Sequence, residues 1–161
     1  MIKKIVLGGG CFWGMQELIR QQTGVINTQV GYAGGENDMP TYENHPGHAE
    51  VVEIEYDDSK TSFLKLLDFF FTVHDPTTLN QQGNDRGTAY RSVIFYATSE
   101  EELEATKMIK LVNESGRWPE AVVTTLEPLK KFYLAEDYHQ DYLQKHPQGY
   151  TCHFVRFASY L

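Results

Sequence analysis

The segment GGGCFWG, Gly8 to Gly14, constrains this chain more than any other. An apolar run of strand length, Lys3 to Leu7, precedes it, and Met15, Leu18 and Ile19 then repeat at helical spacing from Cys11. A buried strand must therefore end and a helix begin inside this segment, with Cys11 in the first turn of the helix. Glycine costs conformational entropy unless the backbone needs unusual angles or something comes close, so these glycines are expected to open space around the thiol. A lone thiol is more often a small buried hydrophobe. At a helix start, however, the positive end of the macrodipole and free N–H groups favour thiolate. A dinucleotide-binding G-x-G-x-x-G fails here, because the sixth position counted from Gly8 is Trp13.

The rest of the pattern is mixed. Val25 to Tyr32 reads as a strand and leads into GYAGGENDMPTYENHPG, a loop by its Gly, Asn, Asp and Pro content. His48 to Tyr56 reads as the next strand. Alternation puts Glu50 on one face with Val52, Ile54 and Tyr56, while Glu53 and Glu55 share the other with Val51. Glu50 is thus the one carboxylate in phase with the apolar face. Phe63, Leu66, Leu67, Phe70 and Phe71 mark an amphipathic helix from about Thr61 to Val73. Ser92 to Ala97 is a strand. Ser99 and Glu102 form a capping box for a helix that Gly116 stops, and Ala121 to Leu126 is the last clear strand. Beyond Pro128 the pattern loosens into an irregular tail. The order predicts an α+β two-layer sandwich over residues 1–161, one domain, with helices packed on a mixed, largely antiparallel sheet around a ferredoxin-like core.

A formal charge of −8 argues against binding nucleic-acid phosphates. No window approaches a membrane span, and the expectation is a cytoplasmic protein that needs to be no more than a monomer. Two cysteines so far apart, Cys11 and Cys152, are in that compartment an improbable permanent staple, and redox chemistry is the better reason for them to meet. Zinc held by Cys152, His153, His146 and His48 lacks any closed ligand spacing, so neither metal nor flavin is expected.

GGGCFWG, GYAGG, PTY, GHAEVVEIEYD, QGNDRGTAYRS, FYLAEDYHQDYL and HPQGYTCH follow one another along nearly the whole chain. In that order they resemble the peptide methionine sulfoxide reductase A family. The resemblance implies reduction of the S epimer of methionine sulfoxide, free or in proteins, on an α+β fold. It also carries roles to particular positions. Cys11 is the nucleophile and Glu50 the acid. Tyr42 and Tyr90 bond the sulfoxide oxygen, Asp85 helps hold the substrate main chain, and His139 lies near the substrate. The Cys11 sulfenic acid is then trapped by Cys152, and the disulfide is reduced by thioredoxin or, in the test tube, dithiothreitol. The chain departs from the pattern in three places: Ala89 stands where glutamine is usual, the loop between Tyr42 and His48 is short, and only Cys152 is left to recycle Cys11.

Residue chemistry fits those positions. A sulfoxide sulfur is a weak electrophile, so thiolate attack needs an acid and donors aimed at the oxygen. On an apolar face the neutral form of Glu50 is favoured, although a carboxylate at a strand end can equally reach solvent. Phe12 and Trp13 offer apolar walls for an S-methyl group, or simply core volume. Tyr42, Tyr90, Asp85 and His139 each have an ordinary structural alternative as well. Two other functions share these features: a peroxide-reducing thiol enzyme, and a small α+β module that binds apolar ligands.

Overall fold

The computed structural model describes residues 1–161. In chain order the strands are β1 (Ile2–Gly9), β2 (Val25–Ala33), β3 (Ala49–Asp57), β4 (Gln81–Gln82), β5 (Asp85–Arg86), β6 (Ser92–Tyr96), β7 (Thr125–Pro128) and β8 (Phe132–Leu134). The helices are α1 (Phe12–Ile19), α2 (Phe63–Val73), α3 (Ser99–Glu114) and the single turn α4 (Tyr142–Lys145). Six strands form one sheet in the order β7-β6-β1-β3-β2-β8, and β4 with β5 makes a separate small hairpin. Only the β6–β7 pair is parallel, so the sheet is mixed and the fold is α+β.

Alternation along β1 and β3 separates two apolar faces. Ile5, Leu7, Val52, Ile54 and Tyr56 join Phe12 and Met15 of α1, six apolar residues of α2, and Ala105, Met108 and Val112 of α3 in one core. These three helices therefore cover the same face. The opposite residues, Val6, Val51, Val93 and Phe95, form a smaller cluster against Leu129 and Phe132. Glu50 lies on the helix-covered face, paired across β2 with Tyr32.

Three expected boundaries shift. Helix α2 begins at Phe63 because Ser62 caps it, accepting the Lys65 N–H at 3.1 Å. The cap of α3 is Thr98, whose hydroxyl accepts the Glu101 N–H at 3.2 Å, while Glu101 reaches back to the Ala97 N–H at 2.8 Å. The box is thus one residue earlier than Ser99 and Glu102. The strand expected from Ala121 is β7 and runs Thr125–Pro128, because the Val122 N–H bonds the Asn113 side chain and the Val123 N–H bonds the Pro76 carbonyl. The chain beyond Pro128, expected to be irregular, instead carries β8, which pairs with β2, and α4, and the tail without helix or strand is residues 146–161. No helix is long and apolar enough to cross a membrane.

Candidate active site

Cys11 is the residue before α1, not a member of its first turn, and its side chain caps nothing. It is 8% exposed. Burial pushes the thiol well above its ordinary value, and the nearby Glu50 adds to this, while the Trp13 backbone N–H works weakly against both. The expected bias toward thiolate is therefore reversed: in this state desolvation outweighs the helix start, which is formed by an α1 of eight residues.

The glycines also differ from expectation. Gly10 has φ +98°, and a methyl group there would meet the Gln82 side chain at 2.7 Å. A methyl group on Gly14 would collide with Thr151 and His153. The space these glycines create is filled by the chain itself, chiefly by the tail, rather than left open around the thiol. His153 is locked there, its Nε2 at 2.6 Å from the Gly9 carbonyl, and the same contact seats the neighbouring Cys152.

Glu50 sits where the strand phase placed it and is 1% exposed. Its Oε1 accepts the Phe12 N–H at 3.2 Å, and its Oε2 is buried without a partner. Burial raises its pKa to about 8, against which the Phe12 hydrogen bond works, with Asp85 adding to the rise. A carboxyl group so placed keeps its proton at neutral pH and has one oxygen free to use it. Tyr42 and Tyr90 face the same spot from different directions. Burial first and Glu50 second raise both phenols, and a hydrogen bond with Tyr90 pulls Tyr42 the other way. Tyr90 closes a short 3-10 turn with Ala89, and Tyr42 lies in the loop after β2.

The aromatic pair beside Cys11 divides its work. Phe12 is fully buried, its ring centroid 5.8 Å from Tyr32 and 5.1 Å from His139. Trp13 is half-exposed, stacks face to face on Tyr142 at 3.7 Å, and donates its Nε1–H to His139 Nδ1 at 3.0 Å. Indole only donates, so the His139 proton resides on Nε2, which is buried and unpartnered. Burial lowers the His139 pKa, with Glu136 opposing. Asp85 accepts the Tyr150 hydroxyl at 3.0 Å and bears electrostatically on Cys11, Glu50 and Cys152. Cys152 is half-buried and, like Cys11, a free thiol, with its Sγ 3.9 Å from the Gln82 carbonyl.

All nine residues singled out in the sequence thus converge around the β1–α1 junction. The sequence did not single out Tyr142, which supports Trp13, and it raised His153 only as a zinc ligand, not as the residue that seats Cys152. The first lies three residues beyond His139, but the extended Gln140 and left-handed Asp141 between them break any helical spacing that could have revealed it. No group of three or more His, Cys, Asp or Glu side chains is arranged to hold a metal.

A family model described as peptide methionine sulfoxide reductase matches residues 3–159. The peptide methionine sulfoxide reductase MsrA of Mycolicibacterium vanbaalenii is 59% identical over 154 residues, which is 96% of this chain and 91% of that protein. Among solved structures, Mxr1 from Saccharomyces cerevisiae in reduced form superimposes with a TM-score of 0.91 at 38% identity, covering 97% of this chain and 93% of that one. The same yeast protein in complex with Trx2 gives a TM-score of 0.67 at 29% identity, covering 97% and 91%.

Proposed function

The chain belongs to the peptide methionine sulfoxide reductase family, and from that premise we propose how its own residues carry the reaction. The reaction itself is reduction of methionine sulfoxide to methionine. The substrate is the S epimer, free or in proteins. Its methyl group lies against Phe12 and Trp13, and its main chain is held by Asp85 and by the unpartnered Nε2–H of His139.

Glu50 gives its proton to the sulfoxide oxygen as the Cys11 sulfur attacks the sulfoxide sulfur, with the Tyr42 and Tyr90 hydroxyls donating to that oxygen. The oxygen ends on Cys11 as a sulfenic acid, methionine leaves as the thioether, and the thiol proton restores the Glu50 carboxyl. Cys152 then attacks the sulfenic sulfur, releasing water and leaving a Cys11–Cys152 disulfide. A thioredoxin-like dithiol reduces it by exchange, a reading supported by the solved yeast relative bound to Trx2. A reducing, cytoplasmic setting and a single catalytic unit without cofactor fit this cycle. The run β1-α1-β2-β3-α2-β6, with strand order β6-β1-β3-β2, supports reading the core as ferredoxin-like.

The observation that carries the residue assignment is the buried Glu50 carboxyl, raised to about 8 and bonded to the backbone residue next to Cys11. One turnover without reductant tests it. The S epimer should yield one methionine per chain and a protein lighter by two hydrogens, the R epimer nothing, and Cys11→Ser no product. Product from Cys11→Ser would exclude Cys11 as nucleophile, and a stable sulfenic acid would exclude Cys152 as resolver.

A further inference from the structure

The backbone of Tyr42 makes no hydrogen bond within its own loop. The residue is 38% exposed, and the bonds that tie the β2–β3 loop to itself run between Glu36 and Pro46, Asn37 and Asn44, and Thr41 and Asn44, past Tyr42. A phenol that must meet a departing oxygen needs firmer placement than such a loop supplies. Glu136, which the sequence did not single out, supplies it. Its Oε2 accepts the Tyr42 backbone N–H at 2.8 Å, and its Oε1 accepts the Tyr32 hydroxyl at 2.9 Å. Tyr32 is wholly buried, pairs across the sheet with Glu50 and lies against Phe12. The Glu136 carbonyl also accepts the His139 N–H at 3.0 Å, opening the turn that carries that histidine. The rings of Tyr42 and His139 lie 4.6 Å apart.

We propose that Glu136 is a positioning residue that sets the Tyr42 phenol over Glu50 by fastening the loop backbone at Tyr42 to the buried Tyr32 hydroxyl. The inference rests on the reading of Tyr42 as a donor to the sulfoxide oxygen. One carboxylate joins three parts of the site: the loop bearing Tyr42, the strand opposite Glu50 and the turn bearing His139. Its two oxygens are each taken by one donor, so the anchor is matched to its task. Burial pushes the Glu136 carboxyl up, but hydrogen bonds from Tyr42, its own backbone and Tyr32 outweigh this and hold it below the ordinary value. Glu136 therefore stays charged while Glu50 keeps its proton, and the two carboxyl groups have separate tasks.

A double-mutant cycle tests this. Glu136→Ala should lower kcat/KM for methionine sulfoxide by tenfold or more, mainly in kcat, and in a Tyr42→Phe background by less than twofold, because the phenol it serves is already gone. Glu136→Gln should recover most of the loss, since its amide oxygen still accepts the Tyr42 N–H. Equal losses in both backgrounds, or no loss from Glu136→Ala, would overturn the proposal. If Glu136→Ala does not fold, Tyr32→Phe removes one side of the tie and is read against Tyr42→Phe in the same way. A Tyr42→Phe variant as active as wild type removes the premise and the proposal together, whereas wild-type turnover with dithiothreitol reports on the family activity separately.

Discussion

At Cys11 and Glu50 two ionisable groups share one desolvated spot, and they respond to it in ways that suit opposite tasks. Burial holds a proton on each, but only the Glu50 value, about 8, falls in a range where pH can remove it. Loss of that proton removes the acid and places a negative charge beside a thiol that must itself become anionic. Activity is therefore expected to fall as pH rises through about 8, and Glu50→Gln should abolish that alkaline limb while lowering kcat by about 10² to 10⁴. The pH profile of kcat/KM for both proteins checks this; an unchanged limb in the variant would assign it to another group. The Glu50 placement was legible because a strand has period two and only one carboxylate falls in its apolar phase. The packing around the thiol was not, since the glycines on either side of it are closed by Gln82, Thr151 and His153, far along the chain, which no local pattern announces.

The element that decides the site is the α1 start, and its fit to the tail shows how far local rules reach. By helix propensity alone, Gly14→Ala should stabilise α1 by about 1 kcal/mol. Here the added methyl group meets Thr151 and His153, so it should displace the segment that seats Cys152 and break the His153 contact to Gly9. The expected outcome is a first turnover that still yields one methionine per chain but a disulfide that forms about tenfold more slowly, with sulfenic acid trapped by a reagent such as dimedone. Disulfide formation at the wild-type rate would refute the tail-seating role. A second element-level expectation is simpler: Thr98→Ala removes the α3 cap and should lower stability in urea by about 1 kcal/mol, whereas Ser99→Ala should not. The cap motif was readable to within one residue. The β7 start was not, because the apolar run from Ala121 to Val123 hangs on Asn113 and Pro76 rather than on a neighbouring strand, and tertiary acceptors leave no trace in local spacing.

Over the whole molecule, three buried groups tie stability to pH in opposing directions. The folded Glu50 binds its proton up to about 8, against an ordinary 4.5. Between those values the folded state holds a proton that the unfolded chain has released, so this contribution is complete below pH 4.5 and is lost as pH rises to about 8. Histidines 74 and 153 act the other way. Burial lowers them from 6.5 to about 3 and about 4, each partly offset by a backbone carbonyl, so the unfolded chain takes up protons first and stability is lost as pH falls below 6.5. His74 bonds the Phe70 carbonyl and Ser92 hydroxyl deep in the helix face, and His153 fastens the tail, so acid should loosen core and tail together. Melting temperatures of wild type and Glu50→Gln across pH 4 to 9 separate the two trends. The variant should keep the acid limb, while its advantage over wild type grows from about pH 4.5 to 8 and then stays constant. A difference that stays flat over that window would mean that Glu50 is not held neutral in the folded protein, and its role as proton donor would fall with it.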